Sequence, residues 1–417
     1  MSIKIKPSCL TGTVSAPPSK SMTHRYLITS ALADGVSLLK NPLHSDDTVA
    51  TVEGLRKLGI NTSNEGCDWE IQGGKLTPPD SIINCNESGT TMRLLIGLCS
   101  LLDQPCTLSG AHSLIRRPNK PLLDALEQLG VQTQSNAGHP PITVTGKMMG
   151  GYADISGDIS SQFISSILLA APYAESPVEL RITTKLESKP YVKMTLDAMR
   201  KSGIKAECSK SLEHLHVPND RYSPLMTKIE GDWSSAAYML AAGTLTGKVH
   251  VDNLDLASSQ ADKEIIRILD EMGAYIKING KRVTTEKSKL NSLETDLSDC
   301  PDLFPIVACL CSVADGTSRF TGLSRLRIKE SDRLAAMMEG LQKMGIEIDG
   351  DDDSVRITGG SPRKAVIDPH NDHRIAMSFA VLSHVAEGET TILNPECVSK
   401  SYPGFWDDLR KIGAKIR

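Results

Sequence analysis

The sequence predicts an α/β protein of two lobes, each built from three related modules. Two observations support this fold class. A short phrase typical of a helix that ends at a glycine before a strand recurs six times at nearly constant spacing. A segment rich in turn-forming residues separates the third copy from the fourth. We expect a hinged cleft between the lobes, and clefts between domains often bind small ligands.

The recurring phrase combines the last turn of an amphipathic helix, a glycine that takes the left-handed conformation, and a residue that opens a strand. Its copies are LRKLGI (55–60), LEQLGV (126–131), MRKSGI (199–204), LDEMGA (269–274), LQKMGI (341–346) and LRKIGA (409–414). Successive glycines lie 71, 73, 70, 72 and 68 residues apart. This period is longer than that of ordinary solenoid repeats, so each module is a substantial α/β unit.

Two segments suggest where the chain passes from one lobe to the other. VPNDRYSPLMTK (217–228) is rich in turn formers, and SAPPSK (15–20) carries two prolines that hold the chain extended. We therefore predict an N-terminal lobe at 19–224 and a C-terminal lobe formed by 1–18 plus 225–417.

Composition limits the class of protein. The net charge of −4 argues against a protein that coats nucleic acid. The ten cysteines are scattered, and Cys309 and Cys311 lie in an apolar run typical of a buried helix, so we expect reduced thiols. No targeting segment is visible, and apolar runs such as LLIGLCSLL are shorter than the roughly 20 residues needed to cross a bilayer. We predict a soluble cytoplasmic protein without metal or cofactor.

Basic residues lie beside hydroxyl groups at predicted helix starts. In PSKSMTHR, Lys20 and Arg25 flank Ser21 and Thr23, either of which would cap a helix whose free N–H groups attract an anion. In NESGTTMR, Gly89 permits close backbone approach to a ligand, and Thr90 and Arg93 follow it. The alternatives are a capped surface helix for the first motif and a strand–turn–helix joint for the second. Neither motif is a dinucleotide or ATP signature.

Further motifs continue the pattern along the chain: RRPNKPL with Arg116 and Arg117, SSQF with Ser160, Ser161 and Gln162, SKPY with Ser188 and Tyr191, CPDLF with Asp302, RIKESDR with Lys329, Glu330 and Arg333, NDHRIAM with His373 and Arg374, and SKSYPGF with Lys400. As an alternative, RIKESDR would form a salt-bridged helix face. Asp349–Asp353 reads as a polar hairpin turn, because the rest of a calcium-binding loop is missing.

This ordered series, across essentially the whole chain, resembles the 5-enolpyruvylshikimate-3-phosphate synthase family. The resemblance implies the two-lobed enolpyruvyl transferase fold of six βαβαββ repeats, three per lobe. It also implies transfer of the enolpyruvyl group of phosphoenolpyruvate to the 5-hydroxyl of shikimate 3-phosphate in the shikimate pathway, with release of phosphate. The tetrahedral intermediate is non-covalent, and neither metal nor cofactor takes part.

The resemblance also implies residue roles. The phosphoenolpyruvate ligands are Lys20, Gly89, Thr90, Arg117, Arg333, Arg374 and Lys400. The shikimate 3-phosphate ligands are Lys20, Ser21, Arg25, Ser160, Ser161, Gln162, Ser188, Tyr191, Asp302, Arg325 and Lys329. Asp302 is the candidate base for the 5-hydroxyl, and Glu330 transfers the proton at the enol methylene carbon. Lys20 assists as an acid or as electrostatic support for the departing phosphate.

Three residues depart from the family pattern. Glu87 stands where asparagine is common, Leu94 where proline is frequent, and Arg325 where asparagine is often found. We expect these changes to shift substrate affinity and inhibition by glyphosate.

Two other functions stay open from the sequence. The sister enzyme that acts on UDP-N-acetylglucosamine carries a reactive cysteine in a loop of the second module, and SGAHSLIRRPNKP has none. Cys106, just before that loop, lies in a predicted strand, where packing is its expected role. A polyanion- or RNA-end-binding protein of similar modules is disfavoured by the acidic net charge and low aromatic content. We expect a monomer with small-molecule substrates and no nucleic-acid or membrane partner.

Overall fold

The protein is described here by a computed structural model in which residues 1–111 and 113–417 form six four-stranded mixed sheets. The strands in chain order are β1 (Ser2–Lys6), β2 (Thr11–Ser15), β3 (Gly35–Lys40), β4 (Asn61–Glu65), β5 (Asp68–Gly73), β6 (Ile83–Asn84), β7 (Cys106–Ser109), β8 (Gln132–Asn136), β9 (His139–Thr145), β10 (Gly151–Ile155), β11 (Val178–Ile182), β12 (Glu207–Cys208), β13 (His214–Val217), β14 (Met226–Lys228), β15 (Lys248–Asp252), β16 (Tyr275–Asn279), β17 (Arg282–Glu286), β18 (Glu294–Asp296), β19 (Thr317–Thr321), β20 (Glu347–Gly350), β21 (Val355–Thr358), β22 (Val366–Ile367), β23 (Thr390–Leu393) and β24 (Lys415–Ile416).

The α-helices alternate with these strands. They are α1 (Lys20–Leu32), α2 (Asp46–Lys57), α3 (Gly89–Cys99), α4 (Lys120–Gln128), α5 (Ser161–Ala170), α6 (Lys189–Lys201), α7 (Trp233–Thr246), α8 (Ile265–Glu271), α9 (Phe304–Cys311), α10 (Arg333–Lys343), α11 (His373–Leu382) and α12 (Phe405–Lys411).

Each sheet with its two helices forms one βαβαββ module. In the second module, β6 pairs in parallel with β7, β7 pairs antiparallel with β9, and β9 pairs antiparallel with β8. The same order of pairing recurs in the other sheets, although β14, β2 and β1 join sheets whose other strands lie far away in the chain. The predicted six-module α/β architecture is confirmed.

The glycine of each recurring phrase directly follows a helix and its C-cap residue. The φ angles of Gly59, Gly130, Gly203, Gly273, Gly345 and Gly413 lie between 80° and 108°. A side chain is disfavoured in this left-handed region, which explains why the sequence signal is glycine at all six positions.

Contacts divide the chain into two compact units. The first unit comprises Pro18–Ile229, and the second comprises Met1–Pro17 with Glu230–Arg417. The sequence placed the crossings at 18/19 and 224/225, and β14, which follows the second of these positions, pairs with β3 of the first unit. The bounds predicted for the two lobes stay a prediction.

Each unit is built around three inner helices. In the first unit, α1, α3 and α5 pack on one another, and in the second unit α7, α9 and α11 do so. Every residue of α9, including Cys309 and Cys311, is buried. A helix that is apolar on all sides is expected in such a core, whereas the outer helix α4 is amphipathic and buries only one face.

Two smaller expectations are also confirmed. Cys106 is a buried residue of β7, and the DGDDD segment forms the end of β20 and the turn that leads to β21. Among the helices of the described residues, none is both long and apolar enough to cross a membrane.

Candidate active site

The two units differ in the residues that precede their inner helices. Ser19, Ser88 and Ser160 precede α1, α3 and α5 of the first unit. In the second unit, aspartates stand at corresponding positions 70 residues apart, namely Asp232 before α7, Asp302 in the 3-10 turn before α9, and Asp372 before α11. Helix N-termini carry partial positive charge. The neutral serines add no negative charge to offset it, whereas the negatively charged aspartates do.

Helix α1 begins earlier than predicted and lacks a side-chain cap. It starts at Lys20 with Ser19 as the N-cap residue, and no side chain accepts a hydrogen bond at the cap. The prediction that Ser21 or Thr23 caps the helix was wrong, because both lie within its first turn. Thr23 instead donates its hydroxyl hydrogen to the carbonyl oxygen of Ser19 at 2.8 Å. This arrangement suits an anion, which is a favoured partner of N–H groups at an uncapped helix start.

Lys20 is held by an acidic residue that the sequence analysis did not select. Its Nζ lies 2.8 Å from Oδ2 of Asp47, and both side chains are largely buried. The carbonyl oxygen of Asp47 lies 3.0 Å from Oγ1 of Thr91, near the start of α3. Thr91 Oγ1 also lies 2.7 Å from Oγ1 of Thr51, which contacts the ring nitrogen Nδ1 of buried His24 at 2.8 Å. Hydroxyl groups thus connect α1, α2 and α3 beneath the first-unit motifs.

Gly89 lies close to the guanidinium group of Arg117. A Cβ atom added at Gly89 would lie 2.8 Å from a terminal guanidinium nitrogen of Arg117, closer than normal contact. The approach of a ligand to the backbone at Gly89 stays a prediction, and in the described structure the nearest group is Arg117, to which the family resemblance also assigns phosphoenolpyruvate binding.

Thr90 is positioned by a chain of polar contacts from neighbouring helices. Gln162 donates from Nε2 to Thr90 Oγ1 at 2.9 Å, and its Oε1 accepts from Arg93 at 2.5 Å. The Arg93 guanidinium lies over the ring of Phe163, 5.1 Å from its centre. In the described structure, Arg93 thus contacts Gln162 and Phe163 of α5.

Arg25 links α1 to α6. Three of its donors reach the carbonyl oxygen of Ser21, the hydroxyl of Thr195 and the carbonyl oxygen of Tyr191, each at 2.9 Å. Burial lowers the pKa of Arg25 to about 10, so the group is charged at neutral pH. Ser188, which precedes α6, has a φ of 54°, an unusual conformation for serine that often marks functional sites. Arg25 therefore brings Ser21, Ser188 and Tyr191 into one region of the first unit.

Arg333 is the centre of a buried ionic cluster in the second unit. Its side chain is 1% exposed and pairs with Asp302 at 2.7 Å, with Glu330 at 2.5 Å and with Asp372 at 2.8 Å. Ser331 also donates to Asp372, at 3.1 Å. RIKESDR is thus more than a salt-bridged surface face, because its arginine points inward and joins the starts of α9, α10 and α11.

Asp302 receives two further cations. Arg374 lies 2.8 Å from Oδ2, and the Nζ of Lys329 lies 3.6 Å from Oδ1. Burial acts to raise the pKa of Asp302, but attraction by Arg374, Lys329 and Arg333 outweighs burial and holds that pKa well below its usual range. Burial lowers the pKa of Lys329 to about 8, against the attraction of Asp302. Without a ligand, Asp302 is therefore a stable carboxylate and a poor proton acceptor.

Lys400 joins this cluster through the backbone. Its Nζ donates to the carbonyl oxygen of Asn371 at 2.8 Å, next to Asp372.

Arg325 is also buried, and it donates to the carbonyl oxygen of Ser298. The departure at position 94 places Leu94 in the interior of α3, where it is 2% exposed. The structure gives no account of the departure at Glu87.

The sequence-predicted residues thus gather at two places in the first unit and in one group in the second. Lys20, Gly89, Thr90, Arg117 and Gln162 gather around the start of α3, while Ser21, Arg25, Ser188 and Tyr191 lie where α1 meets α6. Ser160 caps α5 by accepting from the N–H of Gln162 at 3.3 Å, with Ser161 as the first helical residue. Asp302, Lys329, Glu330, Arg333, Arg374 and Lys400 form the second-unit group.

Comparison with known proteins matches the chain to one family. The model of EPSP synthase (3-phosphoshikimate 1-carboxyvinyltransferase) matches residues 5–409. The chain belongs to this family. It is 42% identical to the curated 3-phosphoshikimate 1-carboxyvinyltransferase of Methanocorpusculum labreanum, over 100% of both chains. The protein of the same name from Methanocaldococcus jannaschii is 41% identical, over 98% of this chain and 97% of the relative.

Solved structures agree with the family assignment. The EPSP synthase from Acinetobacter baumannii has a TM-score of 0.83 and 26% identity, covering 100% of this chain and 99% of that one. The enolpyruvyl transferase NikO from Streptomyces tendae has a TM-score of 0.81 at 19% identity, covering 100% of this chain and 98% of that one, and this likeness concerns the fold alone. The enolpyruvyl transferase fold predicted from the sequence motifs is confirmed.

Proposed function

We propose that the chain transfers the enolpyruvyl group of phosphoenolpyruvate to the 5-hydroxyl of shikimate 3-phosphate and releases inorganic phosphate. Family membership supports the reaction, and the Arg333 cluster supports it most directly among the structural observations. This cluster combines cations that suit phosphate and carboxylate groups with two carboxylates, Asp302 and Glu330, that suit proton transfer.

Charge explains why so many cations are needed. A phosphate carries about −1.5 to −2 at neutral pH, so the two substrates with their carboxylates bring roughly −5 to −6. Cations from both units are proposed ligands: Lys20, Arg25, Arg117, Arg325, Lys329, Arg333, Arg374 and Lys400. The hydroxyl and amide groups of Ser21, Thr90, Ser160, Ser161, Gln162, Ser188 and Tyr191 bind the remaining oxygens.

The proposed mechanism begins with Glu330 in its protonated, carboxylic acid form, which transfers its proton to the methylene carbon of phosphoenolpyruvate. The adjacent carbon becomes electrophilic, and the 5-hydroxyl of shikimate 3-phosphate adds to it while Asp302 accepts the hydroxyl proton. The tetrahedral intermediate then expels phosphate, whose developing charge is stabilised by Lys20. Loss of a proton from the methyl group restores the enol double bond, with Glu330 as acceptor.

Ligand binding makes Asp302 a better base. In the described structure three cations stabilise its carboxylate, which lowers its proton affinity. Arg333 and Arg374 are also proposed phosphoenolpyruvate ligands, so anionic substrate competes with Asp302 for these donors. As the donors turn to the substrate, the pKa of Asp302 rises and proton transfer from the 5-hydroxyl becomes easier.

The test is phosphate release by the purified protein supplied with phosphoenolpyruvate and shikimate 3-phosphate. We expect release only when both substrates are present, together with formation of the enolpyruvyl ether. Release with UDP-N-acetylglucosamine as the sole acceptor would contradict the proposal and favour the sister activity. We further propose that the enzyme acts as a cytoplasmic monomer, and light scattering in solution tests the monomeric state.

A further inference from the structure

Asp262 is a buried carboxyl group that the proposed mechanism does not use. It lies in a 3-10 helix (Ala261–Glu264) of the second unit that packs against α7, and it is 1% exposed. The hydroxyl of Ser234 donates to its Oδ2. Among the described residues, its Oδ1 has no hydrogen-bond partner. An ionised carboxylate with one unsatisfied oxygen is costly at such a buried position, so a function for its charge is expected.

Ionisable groups on neighbouring elements interact electrostatically with Asp262. Asp232 lies at the start of α7, Asp302 before α9 and Arg374 on α11, while Cys300 precedes Asp302. Lys263 and Glu264 are neighbours within the same 3-10 helix.

Most of these groups already have partners of their own. Asp232 accepts from the N–H of Ser235 at 2.7 Å, and Lys263 donates to backbone carbonyl oxygens. Asp302 is paired with Arg333, Arg374 and Lys329. The attraction that Asp262 feels therefore comes from Arg374, whose nearer partner is Asp302.

The protonation state of Asp262 depends on burial and on these neighbours. Burial raises its pKa to about 7, and repulsion by Asp302 acts in the same direction. Attraction by Arg374 and the hydrogen bond from Ser234 act in the opposite direction. Any change in the charge around Arg374 thus alters the protonation of Asp262 near neutral pH.

We propose that Asp262 is a positioning residue that balances the charge of Arg374 and takes up a proton when phosphoenolpyruvate binds to that arginine. In the ligand-free enzyme above neutral pH, the carboxylate of Asp262 supplements Asp302 in neutralising Arg374. When the anionic substrate becomes the partner of Arg374, the second carboxylate is repelled and becomes a neutral carboxyl group. This inference rests on the proposed function, because it takes Arg374 as a phosphoenolpyruvate ligand.

Proton uptake on binding predicts a definite pH dependence. Above about pH 7 the ligand-free enzyme must gain a proton to bind phosphoenolpyruvate, so affinity falls as pH rises. One proton per ligand gives a loss of up to about tenfold in affinity per pH unit. The second pKa of a phosphate is about 6, so ionisation of the substrate contributes little above pH 7.

The experiment measures kcat and the KM for phosphoenolpyruvate between pH 6.5 and 9 at saturating shikimate 3-phosphate. In the wild type, we expect this KM to rise above pH 7 while kcat changes less. Asp262→Asn keeps the shape of the side chain and its contact with Ser234 but cannot ionise, so the rise should disappear or be strongly reduced. A rise of equal size and position in Asp262→Asn, or no rise in the wild type, would overturn the inference.

Ser234→Ala is a second test that does not remove the carboxyl group. The hydroxyl of Ser234 lowers the pKa of Asp262, so its loss should move the KM rise to higher pH. If Asp262→Asn does not fold, the shift in the pH of the KM rise in Ser234→Ala tests the proposal by itself. A KM rise at the same pH in Ser234→Ala and in the wild type would contradict the proposal. A merely structural role for Asp262 would change the KM at all pH values equally.

Asp408→Asn is the matched control. Asp408 also belongs to the second unit and also accepts from a hydroxyl group, that of Tyr402, at 2.6 Å. It is not among the groups that influence Asp262 or Asp302, so its replacement should leave the pH dependence unchanged. Absence of turnover with both substrates at every pH would defeat the proposed function itself. Normal turnover with an unaltered KM profile in the Asp262 and Ser234 variants would defeat only this inference.

Discussion

Arg333 and Asp302 form a 2.7 Å ion pair in which the arginine is 1% exposed. The pair joins the start of α10 to the turn before α9. Because Arg333 also binds Glu330 and Asp372, one guanidinium organises both carboxylates to which we assign proton transfer. Its planar set of donors suits this task in a way that a lysine would not.

Replacement of Asp302 tests the assignment of the base. Asp302→Asn keeps the size of the side chain but removes its ability to accept the hydroxyl proton, so we expect kcat to fall by about 10²- to 10⁴-fold. The KM for phosphoenolpyruvate should stay level or fall, because Arg333 and Arg374 lose a competing anion. Steady-state phosphate release measures both parameters. Asp315→Asn, at an exposed pair with Lys289, is the control, and near-normal kcat in Asp302→Asn would refute the role.

Replacement of Arg333 tests the contribution of the cluster to folding. Arg333→Met would leave the buried carboxylate of Asp372 and the partly buried carboxylates of Asp302 and Glu330 without their shared cation, and breaking a buried ion pair costs about 3–5 kcal/mol. We expect a decrease of that size in the free energy of unfolding, measured with urea. Arg282→Met, which removes an exposed pair with Asp252, should cost at most about 1 kcal/mol. Equal losses in the two variants would contradict this account.

Replacement of Gly89 tests the placement of Arg117. In Gly89→Ala the new methyl group would lie 2.8 Å from the Arg117 guanidinium, which is the flexible end of its side chain and must move. We expect a raised KM for phosphoenolpyruvate, with a change of less than about 1 kcal/mol in unfolding free energy. Kinetics and thermal unfolding provide the two measurements. Gly360→Ala is the control, since its nearest new contact would be an ordinary 3.5 Å to Ile346, and an unchanged KM in Gly89→Ala would count against the assignment.

The charge of Lys329 predicts a second pH effect, on the other substrate. Burial lowers its pKa to about 8, so Lys329 loses its positive charge as pH rises through this value. We expect the KM for shikimate 3-phosphate to increase above pH 8 in the wild type. Lys329→Arg stays charged throughout this range, so the increase should be smaller, as determined by kinetics at saturating phosphoenolpyruvate. An identical increase in the variant would exclude Lys329 as its source.

Much of the fold was predictable because it repeats a local signal. The left-handed glycine after a helix is dictated by backbone sterics, and its six copies revealed the modules before any contact was known. The predicted start of α1 was misplaced because several nearby serine and threonine residues are equally suitable as the N-cap residue. In the folded protein the N-cap residue is Ser19. The pairing of β14 with β3 could not be predicted from the residues around either strand, because hydrogen bonds between strands distant in the chain are not encoded by a local sequence pattern.

The sequence by itself determined the six-module organisation, the family and the motif residues, because glycine conformation and short polar motifs are local properties. Only the tertiary structure decided how these residues are used. It paired Lys20 with Asp47, turned Arg25 and Arg93 toward protein groups, and placed Asp262 among the charges around Arg374. Burial and electrostatic interaction depend on atoms brought together from distant parts of the chain, so side-chain protonation and partnership appear only when the chain is folded.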